Sequence, residues 1–111
     1  MNTFKHLTPW GVKTLRLQKL QYAKGGTLAV AAEELTENGT WEPWAVLTVN
    51  VPAIAGEKSA DDEHAFLDTN NGDGWWVRKF LEKYSLAEDT GIRTVSGYCT
   101  YPLYRWHTEK F

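Results

Sequence analysis

The segment Glu37-Asn38-Gly39-Thr40 constrains what this chain can fold into more than any other. Asn-Gly favours a two-residue hairpin turn, because both central residues of that turn need positive φ. The flanks read as strands: Thr27 to Leu35 and Trp44 to Val51 are rich in β-branched and apolar residues. Closing the turn on Asn38-Gly39 sets Ala32 opposite Ala45, Val30 opposite Leu47 and Leu28 opposite Val49. All six fall on one face, so turn chemistry and hydrophobic alternation agree independently. Pro43 stands near the start of the second strand, where its missing N–H does least damage.

An earlier strand runs from about Val12 to Tyr22. A three-residue Lys24-Gly25-Gly26 loop would put Tyr22 opposite Leu28 and Leu20 opposite Val30, on the same core face. Leu15 and Leu17 have the other parity, which a bulge near Gln18 or Lys19 would reconcile. Pro52 to Glu63 reads as an exposed loop and His64 to Asp68 as a short strand. After the turn Thr69 to Gly74, the residues Trp76, Val77, Phe80, Leu81 and Tyr84 repeat at helical spacing as one apolar stripe. Asp73 or a neighbouring asparagine caps this helix. It should end near Ser85, before a turn at Glu88-Asp89-Thr90-Gly91. Ile92 to His107 reads as one long strand with a bulge at Ser96-Gly97, and Pro102 marks it as an edge. Tyr104 and Trp106 share one parity, Tyr101 and Leu103 the other.

The expected architecture is therefore a single α+β domain over residues 1–111. An N-terminal three-stranded meander and a long C-terminal strand form an antiparallel sheet of four to five strands. One helix packs on the face containing Leu20, Leu28, Val30, Leu47 and Val49.

Cys99 is the only cysteine, so no intramolecular disulfide forms and an oxidising compartment is not implied. The N-terminus lacks a signal-peptide pattern and no segment has the length of a membrane span, so a cytoplasmic protein is expected. The net charge of -2 gives no overall attraction to nucleic acid. Its distribution is uneven. Between Glu33 and Asp73 ten acidic residues face only Lys58, leaving -9, whereas the remainder carries +7. Solvated loops are the plain reading of the acidic stretch; a basic protein partner is the functional one.

No catalytic, cofactor-binding or metal-binding set emerges. Asp68-Thr69-Asn70-Asn71-Gly72-Asp73-Gly74 resembles a calcium loop, but no frame places oxygen ligands, the sixth-position glycine and the twelfth-position glutamate together. Cys99 and His107 would lie more than about 20 Å apart along one strand, beyond any hydrogen bond. Glu33 and Glu34 point to opposite faces of a strand, which is poor geometry for a carboxylate pair. Gly25-Gly26 is too short for a phosphate loop. Candidate binding residues are Trp41 and Trp44 as exposed aromatics, the polar set Asp68, Asn70, Asn71, Ser96 and Tyr98, and the aromatic rim Tyr101 and Tyr104.

Three segments together carry a resemblance: Trp44 to Asn50, Phe66 to Asn71, and Ser96 to Tyr104. In this order they resemble the bacterial domain of unknown function 4313 family, over nearly the whole chain. The resemblance implies small proteins of gut Firmicutes, often among accessory genes of conjugative elements. That family has no established activity, so it transfers no catalytic residue. The expected function is a non-enzymatic, protein-binding accessory factor of a mobile element, with an anti-defence role as its sharper form. The alternatives are a ligand-binding protein or enzyme centred on Asp68, Asn70 and Ser96, or a nucleic-acid-binding domain.

Overall fold

The structure, a computed structural model, describes residues 2–24, 26–51, 60–69 and 74–111. Strands β1 (Phe4–Thr8), β2 (Gly11–Gln21), β3 (Leu28–Leu35) and β4 (Trp41–Val46) pair in sequential antiparallel order. Strands β5 (Thr48–Val49), β6 (His64–Leu67), β7 (Ala87–Ser96) and β8 (Cys99–Trp106) make a second antiparallel sheet, ordered β5-β6-β8-β7. Helix α1 (Gly74–Tyr84) and a 3-10 turn at Thr108–Lys110 complete the described elements. The α+β class, the antiparallel pairing and the single helix are as the sequence implies. The single sheet of four to five strands is not: the strands divide into two sheets of four.

The division occurs at Leu47. Its N–H donates to the Val30 carbonyl at 2.9 Å, in the first sheet, and its own carbonyl accepts from the Asp68 N–H at 2.9 Å, beside the second. β4 and β5 are thus one run of chain that changes sheets at a corner. Leaving the first sheet would strand the Val30 N–H, which is buried. The Thr48 hydroxyl accepts it at 3.1 Å and also contacts the Tyr22 hydroxyl at 2.8 Å. The expected Leu28–Val49 pair does not form, because Leu28 donates to the Asp61 carbonyl and Val49 pairs with Phe66.

The β3–β4 hairpin keeps Ala32 opposite Ala45, but reaches that register by another route. Thr36 pairs with Thr40, so the loop has three residues, and Gly39 alone takes positive φ. The resulting one-residue offset is undone where Glu33 faces Pro43 and Ala32 faces Ala45, leaving Trp44 as the extra residue of a bulge. In the β2–β3 hairpin, Gln21 faces Leu28 and Lys19 faces Val30 without a shift. Leu15 and Leu17 are therefore the inward residues, no bulge is needed, and Leu20 is 47% exposed on the outer face.

The expected C-terminal strand is a hairpin. Ser96 pairs with Cys99 around Gly97-Tyr98, and Gly97 supplies the positive φ that a tight turn with glycine first requires. β7 begins at Ala87, and the expected turn at residues 88–91 is an irregularity within it. β8 lies inside its sheet, not at an edge. Pro102 is tolerated because pairing with β6 stops at Phe66–Leu103, one residue before it. This hairpin joins β5 and β6 instead of the meander.

Val77, Phe80 and Leu81 of α1 are buried against Leu15, Val30, Leu67, Tyr104 and Trp106 in a core shared by both sheets. The expected N-cap residues lie outside the described residues. The C-terminus is a Schellman closure: Leu86 N–H donates to Leu81 O and Ser85 N–H to Glu82 O, with Ser85 at φ 52. Leu86 and Leu81 are both fully buried.

Two outcomes follow for stability in urea. Thr48→Val, which keeps the shape and removes the acceptor, should cost about 1–3 kcal/mol, and Thr48→Ser much less. Ser85→Gly should stabilise by about 0.5–1 kcal/mol with an unchanged denaturant slope, because glycine relieves the left-handed backbone.

Candidate functional site

β1 is the outer strand of the first sheet, and α1 is fastened to it. The Tyr84 hydroxyl accepts from the Lys5 N–H at 3.0 Å and donates to the Lys5 carbonyl at 2.7 Å. Phe4 stands edge-on to Phe80 and Tyr84, at 6.0 and 5.0 Å between ring centres. On this seam, Trp76, Lys79, Phe80 and Lys83 recur at three- and four-residue intervals and form one stripe beside β1. The bulge aims Trp44 toward the same place, so that it packs on the core together with Ala45.

His6 occupies the centre. Its ring lies 4.4 Å from Trp76, 5.5 Å from Trp44 and 5.8 Å from Phe80, and the two indoles are 4.8 Å apart. Burial among these rings pushes the imidazole below its ordinary pKa, and the positive charge of Lys83 adds to the effect. His6 is therefore neutral at pH 7.

These residues wall a groove of about 570 Å³. Lys79 and Lys83 contribute charged groups to its lining, the Lys5 ammonium is held by the Thr14 hydroxyl at 2.6 Å, and none of the lining residues among those described is acidic. The turn between β1 and β2 closes one end with Trp10, which is 91% exposed. The groove can bury a flat apolar group and complement negative charge beside it.

Of the candidate binding residues named from sequence, only Trp44 reaches this groove. Trp41 lies under the Arg16 guanidinium, 4.5 Å from its ring centre. Asp68 follows β6, while Ser96 faces Cys99 at the far end of β8. The register places Asp68 two residues beyond Phe66, so it lies about 7 Å from the Ser96–Cys99 pair along the sheet and two strand spacings, about 10 Å, across it. Asp68 and Ser96 are not neighbours, and Asn70 and Asn71 lie outside the described residues. Tyr98 is fully exposed at the hairpin tip, Tyr101 packs on a small second core around Phe66 and Leu103, and Tyr104 is buried in the main core. Among the described residues, no three His, Cys, Asp or Glu side chains gather as metal ligands. No described helix is long and apolar enough to cross a membrane.

The acidic stretch is divided. Glu33 pairs with Arg16, Glu34 with Lys13, Asp61 with His64 and Glu63 with Arg105. Glu33 and Glu34 sit at one end of β3, whereas the Asp61 backbone meets Leu28 at the other, about 17 Å away.

The position of His6 sets a pH dependence. A lowered folded pKa means that the unfolded chain binds more protons just below the ordinary imidazole value. Stability should therefore be intact above about pH 6.5 and decline as the pH falls below it. Urea midpoints of the parent chain and His6→Gln, compared between pH 7.5 and 5, should show this decline reduced in the variant.

No curated protein and no solved structure matches this chain. A family model does, over residues 14–111, a span that includes Trp44, Trp76, Lys79 and Lys83 and begins after Lys5, His6 and Trp10. This chain belongs to the family described as Domain of unknown function (DUF4313).

Proposed function

We propose that the protein is a non-enzymatic binding module whose working surface is the tryptophan–lysine groove between β1, the Trp44 bulge and α1. The carrying observation is the chemistry of the lining: indoles, an imidazole and a phenyl ring on the walls, Lys79 and Lys83 beside them, and no carboxylate among the described lining residues. Planar rings gain from burying a flat partner, and clustered lysines in a concave surface favour negative charge. The volume falls within the usual range for ligand sites, on the order of 300–1,000 Å³. The ligand is thus anionic with a flat or apolar part.

The same residues suit holding better than catalysis. His6 packs against two indoles that also touch each other, and no acidic side chain among the described lining residues orients it as a general base. The setting implied by the family resemblance, accessory genes of conjugative elements, accords with a protein that recognises another component of the element or its host. The groove favours a partner of opposite charge to the basic one expected from the acidic stretch.

Anilinonaphthalene sulfonate, an anionic planar dye, provides the test. Its fluorescence should rise on binding to the folded protein. Lys79→Gln/Lys83→Gln should weaken that binding several-fold, in line with about 0.2–1 kcal/mol per exposed charge pair. Equal dye binding by the parent and the double variant, with both folded by circular dichroism, would remove the groove as the binding surface.

A further inference from the structure

We propose that the groove binds single-stranded nucleic acid, an inference that rests on the groove being the binding surface. Bases would stack on Trp10 and on the Trp44–Trp76 wall, and phosphates would lie against Lys79 and Lys83.

Three observations favour this ligand over an acidic peptide. The first is Trp10, whose indole is 91% exposed and lines the groove. An open indole beside lysines matches the combination by which proteins hold unpaired strands, since every base has a π-face whatever its identity. The second is the disposition of charge. Lys79 and Lys83 stand one helical turn apart along α1, so two cations succeed each other along the groove, as successive phosphates do, whereas the Lys5 ammonium is held by the Thr14 hydroxyl on the outer face of β1. The third concerns the edge of the sheet. An extended peptide would most readily add as a strand beside β1. The Tyr84 hydroxyl already occupies both the N–H and the carbonyl of Lys5, which blocks that ladder where it would have to form.

The net charge of -2 does not oppose the inference. The basic excess lies outside residues 33–73, and Lys79 and Lys83 belong to that basic part. Ion pairing of Glu33 and Glu34 with Arg16 and Lys13 also holds carboxylates of the acidic stretch on their own bases.

The test titrates the full chain into fluorescein-labelled dodecathymidylate, following anisotropy and tryptophan quenching from low to moderate salt. Two phosphate contacts predict a slope of log affinity against log salt of about -1.4, falling to about -0.7 in Lys79→Gln. Trp10→Ala removes a ring held outside the core and should weaken binding roughly five- to a hundredfold with the fold retained. Thymidine monophosphate should bind far more weakly than the strand. The inference is overturned by an unchanged anisotropy at low salt, by equal affinity for the mononucleotide and the strand, or by full binding in both variants. If a phenylalanine-containing acidic peptide displaces the naphthalene dye and the oligonucleotide does not, the nucleic-acid inference fails and the groove remains a binding surface. If dye binding ignores the lysine substitutions, the groove itself fails.

Discussion

The fold depends on the residue at which the chain changes sheets. Leu47 gives its N–H to one sheet and its carbonyl to the neighbourhood of the other, and it does so while buried. Two sheets that meet at such a corner leave backbone groups without ladder partners, and a buried orphan costs about as much as a lost hydrogen bond. Thr48 resolves this with one hydroxyl, placed where a backbone carbonyl would otherwise be needed. Leu15 and Val30 of the first sheet can then pack with Leu67, Tyr104 and Trp106 of the second, and with α1, in one core.

The groove is a consequence of how that core is closed at its edge. β1 is short and outermost, so its free side must be covered or left sticky. Tyr84 covers it at Lys5, which fixes the helix against the strand. With the helix seated there, the stripe that buries Val77, Phe80 and Leu81 is continuous with a second stripe of Trp76, Lys79 and Lys83 that faces the opening. Phe80 belongs to both. The aromatic wall of the groove is therefore packed on the core, while Trp10 stands exposed beside it.

Much of the local structure was legible in the sequence. The 3.6-residue stripe from Trp76 to Tyr84 specified α1 and its buried face, because helical periodicity repeats over several turns. The opposed Ala32 and Ala45 were found because alternation allows few registers on a buried face. Tyr104 and Trp106 against Tyr101 and Leu103 divided between two cores as their parity implied. The misreadings came from loops. Gly39 closes a three-residue turn and Gly97 a hairpin where a bulge was expected, and glycine permits several turn types that differ by one residue of register. Of the groove, only Trp44 was named as a candidate binding residue. Trp76, Lys79 and Lys83 could have been found as a helical stripe that mixes an indole with cations. His6 carried no local signal, because its ring partners lie dozens of residues away.

The sequence by itself determined the α+β class, the helix and its apolar face, the N-terminal meander, and a separation of acidic from basic segments. These are properties of neighbours along the chain, set by periodicity, turn chemistry and composition. Tertiary structure alone decided that the strands form two sheets, that Trp44 is a bulged residue aimed at His6, and that β1 and the lysines of α1 line one aromatic groove. Those outcomes depend on which orphaned backbone groups find partners at the corner and the edge. Thr48 and Tyr84 supply them from positions that no local pattern connects to Val30 or Lys5.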